Sequence, residues 1–239
     1  MNIHDRESKI DLSRRSLLLA GGLAATGAGL LAGAAPAAAA EPPVTNPDAA
    51  LRRLLAGNRR FLTGHLRHPH QSLRDLHELA AGQHPFVVTI GCADSRVSPE
   101  VIFDQGLGDI FDNRVAGNIV DDLLLGSIEF AVEEFGCPLI MVLGHERCGA
   151  INATIDAIRS GGSAPGHIGT IVDALRPIVE PLLGHSGDVT EEAVRANVRA
   201  QAAALVARSE LIAEHLHAGE LKIVGARYDL DNGRVSVLR

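Results

Sequence analysis

Past residue 41 the apolar positions fall into helical stripes separated by short continuous runs. Leu51, Leu54, Leu55, Phe61 and Leu62 recur at helical spacing with arginines between them, which predicts an amphipathic helix over 47–64. Pro47 then Asp48 suits its start, and Gly64 its end. Pro69 breaks the chain, and a second short helix is expected over 73–81. The runs 86–91 and 139–144 are apolar and rich in β-branched residues, and they read as buried strands. Weaker strand patterns cover 110–115 and 222–228. Helical periodicity returns over 122–135, 148–160, 166–182 and 190–217. Asp231-Asn232-Gly233 is a hairpin turn signal before a last strand at 234–238. Strands alternating with helices predict an α/β fold. The expected core is a mostly parallel central sheet, about four parallel strands plus a C-terminal antiparallel edge strand, flanked by helices.

The first forty residues follow a different pattern. Mixed charges lead to Ser13-Arg14-Arg15-Ser16, and then no charge occurs from Ser16 to Ala40. Gly and Ala dominate that stretch, which closes on small residues before Glu41. A charged region, an apolar region and a small-residue cleavage site define an export signal. Adjacent arginines before a weakly apolar run point to the twin-arginine route, which carries folded proteins and suits a chain that loads a metal before export. The expectation is a cleaved signal peptide over 1–40, a single catalytic domain over 41–239, and an exported protein of the periplasm, cell envelope or extracellular space. An uncleaved anchor is the alternative, since the uncharged stretch is long enough to span a bilayer. After cleavage no stable membrane anchor is expected.

Composition narrows the partners. The chain has 239 residues, a formal charge of −7 and a 46% apolar content, which is ordinary for a globular domain. No basic excess exists to neutralise phosphates, so no nucleic-acid partner is expected. Three cysteines are too few for a disulfide scaffold.

The chemistry gathers behind the two strongest strand patterns. Cys92-Ala-Asp94-Ser-Arg96-Val97 follows Gly91, and His145-Glu-Arg-Cys148-Gly149 follows Gly144. Ligands of open α/β sheets bind at the carboxyl ends of strands, so both segments reach one edge. Cys sulfur and His nitrogen suit zinc, and three protein ligands leave the open position of a catalytic site. A Cys92–Cys148 disulfide is the competing reading in an oxidising compartment. Cys137 reads as a small buried hydrophobe, and His65, His68 and His70 as solvated loop residues.

The pattern C-x-D-S-R-V followed by H-x-x-C-G resembles the β-class carbonic anhydrases. The likeness continues through Gly57-Asn58-Arg59-Arg60-Phe61, residues 105–111, Arg114-Val115-Ala116-Gly117-Asn118 and Ser127-Ile128-Glu129-Phe130-Ala131. The resemblance implies one Zn2+ per subunit on Cys92, His145 and Cys148, with Asp94 as a conditional fourth ligand. It implies reversible hydration of carbon dioxide to bicarbonate and a proton through zinc-bound hydroxide. Asp94 would orient that hydroxide and Arg96 would hold Asp94 ionised. Gln83, Val97, Phe111, Ala116, Phe130 and Gly149 match positions around the substrate, although core packing is the plain reading of the apolar ones. Phe130 departs from the tyrosine of some members. Thr89 stands where bicarbonate-regulated members carry tryptophan, and the chain has no tryptophan. Together with Gln83, that favours an open site with water on the metal. Part of the pocket comes from a second subunit in the family, which implies a homodimer or homotetramer, with helix 47–64 a candidate to cross to the partner. Hydrolysis of carbonyl sulfide or carbon disulfide on the same site is the enzymatic alternative. A non-catalytic zinc-binding protein is the alternative from another class.

Overall fold

The computed structural model describes residues 44–184 and 186–239. The expected signal at 1–40 lies outside the described residues. The rest form one compact unit, and none of its helices is long and apolar enough to cross a membrane. The described elements are α1 (Pro47–Thr63), α2 (Leu73–Leu79), β1 (Val87–Gly91), α3 (Pro99–Ile102), β2 (Ile110–Arg114), α4 (Asp122–Phe135), β3 (Leu139–His145), α5 (Gly149–Ser160), α6 (Ile168–Val179), α7 (Val189–Arg208), α8 (Glu210–His217), β4 (Lys222–Tyr228) and β5 (Val235–Val237).

The sheet runs β2-β1-β3-β4-β5; the first four strands are parallel and β5 is antiparallel to β4. All residues of β1 and β3 are buried, as continuous apolar runs in a covered parallel sheet must be. Val87, Leu139, Met141 and Leu143 face Ala50 and Leu54 of α1 and Ile102 of α3. Their neighbours Val88, Ile90, Ile140 and Val142 face the side of α4, α7 and α8. That alternation follows from the two-residue period of a strand. Gly144 lets α7 approach closely, since a Cβ there would lie 2.5 Å from Val198 Cγ2.

Two expectations need correction. The stretch 190–217 is two helices, because Ser209 is extended (φ −124°, ψ 111°). Its hydroxyl accepts the Ile212 N–H at 3.1 Å to start α8 and donates to Glu129 at 2.6 Å. The helix expected to end at 182 ends at Val179, and a 3-10 turn over Glu180–Leu182 follows, as Pro181 lacks the N–H that a further α-turn needs. Helix α1 matches the helix expected over 47–64. It buries Ala50 and Leu54 in its own chain, and Asn58 bonds Ile102 O, Gly233 O and Val235 N there. The short α3 carried no sequence signal in the reading above.

Candidate metal centre

Register brings the two chemical segments together. Gly91 of β1 pairs with Leu143 of β3, so Cys92 and His145 leave adjacent strand ends. His145 closes β3, and Arg147 takes a left-handed turn (φ 52°) that delivers Cys148 to the N-cap of α5. Cys148 makes no side-chain cap bond, so its sulfur remains available at a helix N-terminus that favours a thiolate. One donor atom from each of Cys92, His145 and Cys148 lies within 4.8 Å of the others, and all three residues are buried.

The state of these groups shows what the site would accept. The three cysteines are free, so the disulfide alternative is set aside. His145 pairs its Nδ1 with the Glu146 carbonyl at 2.9 Å, which turns Nε2 toward the sulfurs. That Nε2 is buried without a hydrogen-bond partner. Cys92 is pulled down to about 4, chiefly by the Cys148 thiol donating to it, and further by the N–H groups of Gly117 and Asp94. Cys148 is pushed above the thiol range by the neighbouring Cys92 and by burial. An unpartnered imidazole nitrogen, one thiolate and one frustrated thiol share a buried space. A cation of N/S preference would satisfy all three. These residues fit a metal ion.

Asp94 sits beside the group, its Oδ2 3.9 Å from His145 Nε2. Arg96 holds the carboxylate with Nε at 2.9 Å and one terminal nitrogen at 2.7 Å, and this keeps Asp94 well below the ordinary carboxylate range. Arg114 fixes the same loop, donating to the Cys92 carbonyl at 3.1 Å and the Asp94 carbonyl at 2.6 Å. Gly149, the first residue of α5, is exposed next to Cys148, and Ala116 is half-buried next to Gly117.

Other candidates lie elsewhere in the chain. Val97 is fully buried in the core under α1. Phe111 and Phe130 form an aromatic cluster with Phe135, ring centroids 5.6–6.5 Å apart, beside the edge strand β2. Phe130 is 52% exposed. Gln83 is exposed before the amino end of β1, whereas Cys92 follows its carboxyl end. His70 pairs with Asp109, and His65 and His68 are exposed. Cys137 donates to Pro85 O at 3.0 Å, and burial pushes its thiol up to about 12. A second acidic group, Glu146, Asp229 and Asp231, is charge-balanced by Arg227 and Arg147 and ties the β4–β5 hairpin down. The sequence reading missed the Gly117 N–H, which reaches Cys92 Sγ at 3.4 Å. A backbone donor leaves no residue-type signal, and only the glycine in the 114–118 motif marked the place.

Residues 87–235 match the family model described as carbonic anhydrase. The chain is 48% identical over 199 residues to carbonic anhydrase 2 of Mycobacterium tuberculosis, covering 82% of this chain and 95% of the relative. It belongs to the β-carbonic anhydrase family. The solved β-carbonic anhydrase CcaA aligns at a TM-score of 0.62 with 30% identity, over 79% of this chain and 87% of that one. One of two tetrameric β-carbonic anhydrases from Sordaria macrospora aligns at 0.63 with 26% identity, over 80% and 94%. On this β-carbonic anhydrase scaffold the Cys/His/Cys group is positioned to bind a metal ion.

Proposed function

We propose that the chain is a zinc-dependent carbonic anhydrase that interconverts carbon dioxide and water with bicarbonate and a proton. The convergence of Cys92, His145 and Cys148 on one buried point, with Asp94 at its edge, carries this reading. Zinc held by these three residues would supply a water whose pKa falls toward neutrality and an open coordination position. Asp94, kept ionised by Arg96, accepts the hydrogen bond of the attacking oxygen and aims its lone pair at the substrate carbon. The grip of Arg96 also holds the carboxylate back from the metal, which favours the open form. Gly149 offers an N–H that its own helix does not use, suited to oxygen that gains negative charge. Ala116 supplies apolar bulk on the chain's own side.

Gln83, Phe111 and Phe130 stand apart from the metal group of their own chain, so we assign them to the site of a second copy. A homodimer is then the smallest complete unit, and a homotetramer builds on it. Residues 1–40 serve as a twin-arginine signal cleaved after Ala40, which delivers the single domain 41–239 to the periplasm, envelope or exterior. N-terminal sequencing of exported protein tests that point, and undiminished export of an Arg14→Lys, Arg15→Lys variant would overturn it. For the activity, stopped-flow hydration of carbon dioxide by zinc-loaded residues 41–239 should be fast and should collapse in Asp94→Ala. Equal rates in that variant would refute the assigned role.

A further inference from the structure

Helix α7 reaches the metal centre through a buried chain of amides. Asn197, 1% exposed, donates from Nδ2 to the Gly117 carbonyl at 2.8 Å. The N–H of that same Gly117 donates to Cys92 Sγ at 3.4 Å. Gln201 donates to Asn197 Oδ1 at 3.0 Å and accepts the Val120 N–H at 2.9 Å, and Arg208 donates to the Val120 carbonyl. Positions 197, 201 and 208 fall on one face of the helix, four and seven residues apart. Together they hold the backbone of 117–120 at both ends. The loop has little freedom of its own: Gly117 sits at φ +80°, and a Cβ there would meet Leu175 Cδ1 at 3.0 Å and Ala150 Cβ at 3.2 Å. Burying two carboxamides costs free energy unless they do something the apolar alternative does not.

We infer that Asn197 is a positioning residue for the metal centre, acting through Gly117 to keep an N–H aimed at the Cys92 sulfur. The inference rests on the metal-binding reading above. An N–H bond to a ligating sulfur withdraws electron density from it, and such outer partners set ligand geometry and metal affinity. A donor to the Gly117 carbonyl fixes the peptide plane on one side, and Gln201 fixes the amide of Asn197 so that it cannot flip.

The test compares Asn197→Asp, which keeps size but loses the donor, with Leu54→Ala, which opens a fully buried position of α1 in the core on the other side of the sheet. Three quantities are read: zinc dissociation constant by chelator competition, the sulfur-to-metal charge-transfer band of the cobalt-loaded protein, and the melting temperature of the metal-free protein. Asn197→Asp should weaken zinc by about 10–100-fold and move the cobalt band to longer wavelength. Leu54→Ala should lower the metal-free melting temperature and change neither metal readout. Asn197→Ala carries the same comparison if the aspartate variant does not fold. Metal readouts that stay at wild-type values in the Asn197 variants, or that move equally in Leu54→Ala, would overturn the inference. A wild-type protein that binds no metal would instead overturn the reading it rests on.

Discussion

The metal-free protein should carry one thiolate and one thiol across the neutral range, and this can be counted. A solvated cysteine with a pKa near 8.5 is about 3% ionised at pH 7. Cys92 is pulled down to about 4 because Cys148 and two peptide N–H groups donate to it. It is therefore almost fully ionised at pH 7. The same contact pushes Cys148 the other way, since a second charge would meet the first in a buried space. Cys137, pushed up to about 12, stays silent. Thiolate absorbance of the metal-free protein should thus show a plateau of one thiolate per chain from about pH 5.5 to pH 9. Cys148→Ala removes the largest cause and should raise the Cys92 midpoint.

The sign for metal binding follows. Between pH 7 and 8 a divalent ion has one thiol proton to displace, so its affinity should rise about tenfold per pH unit, not about a hundredfold as for two ordinary thiols. Chelator competition across that range measures the slope. A metal-free protein with no thiolate at pH 6, gaining two together near pH 8–9, would refute the reasoning. So would an affinity slope of two.

Three further outcomes are expected. Mixing Gln83→Ala chains with Cys92→Ser chains, each inactive alone, should restore about a quarter of wild-type hydration activity, because half of random dimers are mixed and each holds one complete site; no recovery would place Gln83 in its own chain's site. Asn58→Ala strips partners from Ile102 O, Gly233 O and Val235 N, which should cost about 2–4 kcal/mol and lower the melting temperature by roughly 5–15 °C, read by calorimetry. His215 lies between Glu133 (2.8 Å) and Glu220 (2.9 Å), which raise its pKa, Glu133 most. Its contribution, on the order of 0.5 kcal/mol for a partly exposed pair, is present below about pH 6.5 and fades as pH rises through the raised value. His215→Gln should therefore lower the melting temperature more at pH 6 than at pH 9.

Much of the scaffold was legible because its strands are extreme. The all-apolar runs ending at Gly91 and Gly144 admit little other than central parallel strands, and parallel strands place their carboxyl ends side by side. That alone brought Cys92 beside His145. Capping chemistry was equally plain at Gly64 and at Asp231-Asn232-Gly233. The break at Ser209 was not visible, since helical periodicity runs through it; the serine ends one helix by bonding Glu129 on another, a tertiary contact that no local pattern encodes. Asp94 and Arg96 could be paired from adjacency, but their grip on each other and the orphaned His145 Nε2 needed coordinates.

The position of Gln83 carries the proposal that a second copy completes the pocket. Eight residues lie between it and Cys92, and five of them are β1. An extended strand of that length spans roughly 16 Å, so the two residues are forced to opposite edges of the sheet. No side-chain rotamer closes that gap. If Gln83 touches substrate, the substrate it touches is bound to another chain. Phe111 and Phe130 obey the same logic from the side, beside the outer strand of the sheet and partly bare in the single chain. The metal group is built by strand register within the chain, whereas Gln83, Phe111 and Phe130 lie where, on the proposed reading, a second copy would use them. Metal affinity should accordingly survive dissociation of the subunits, and turnover should not.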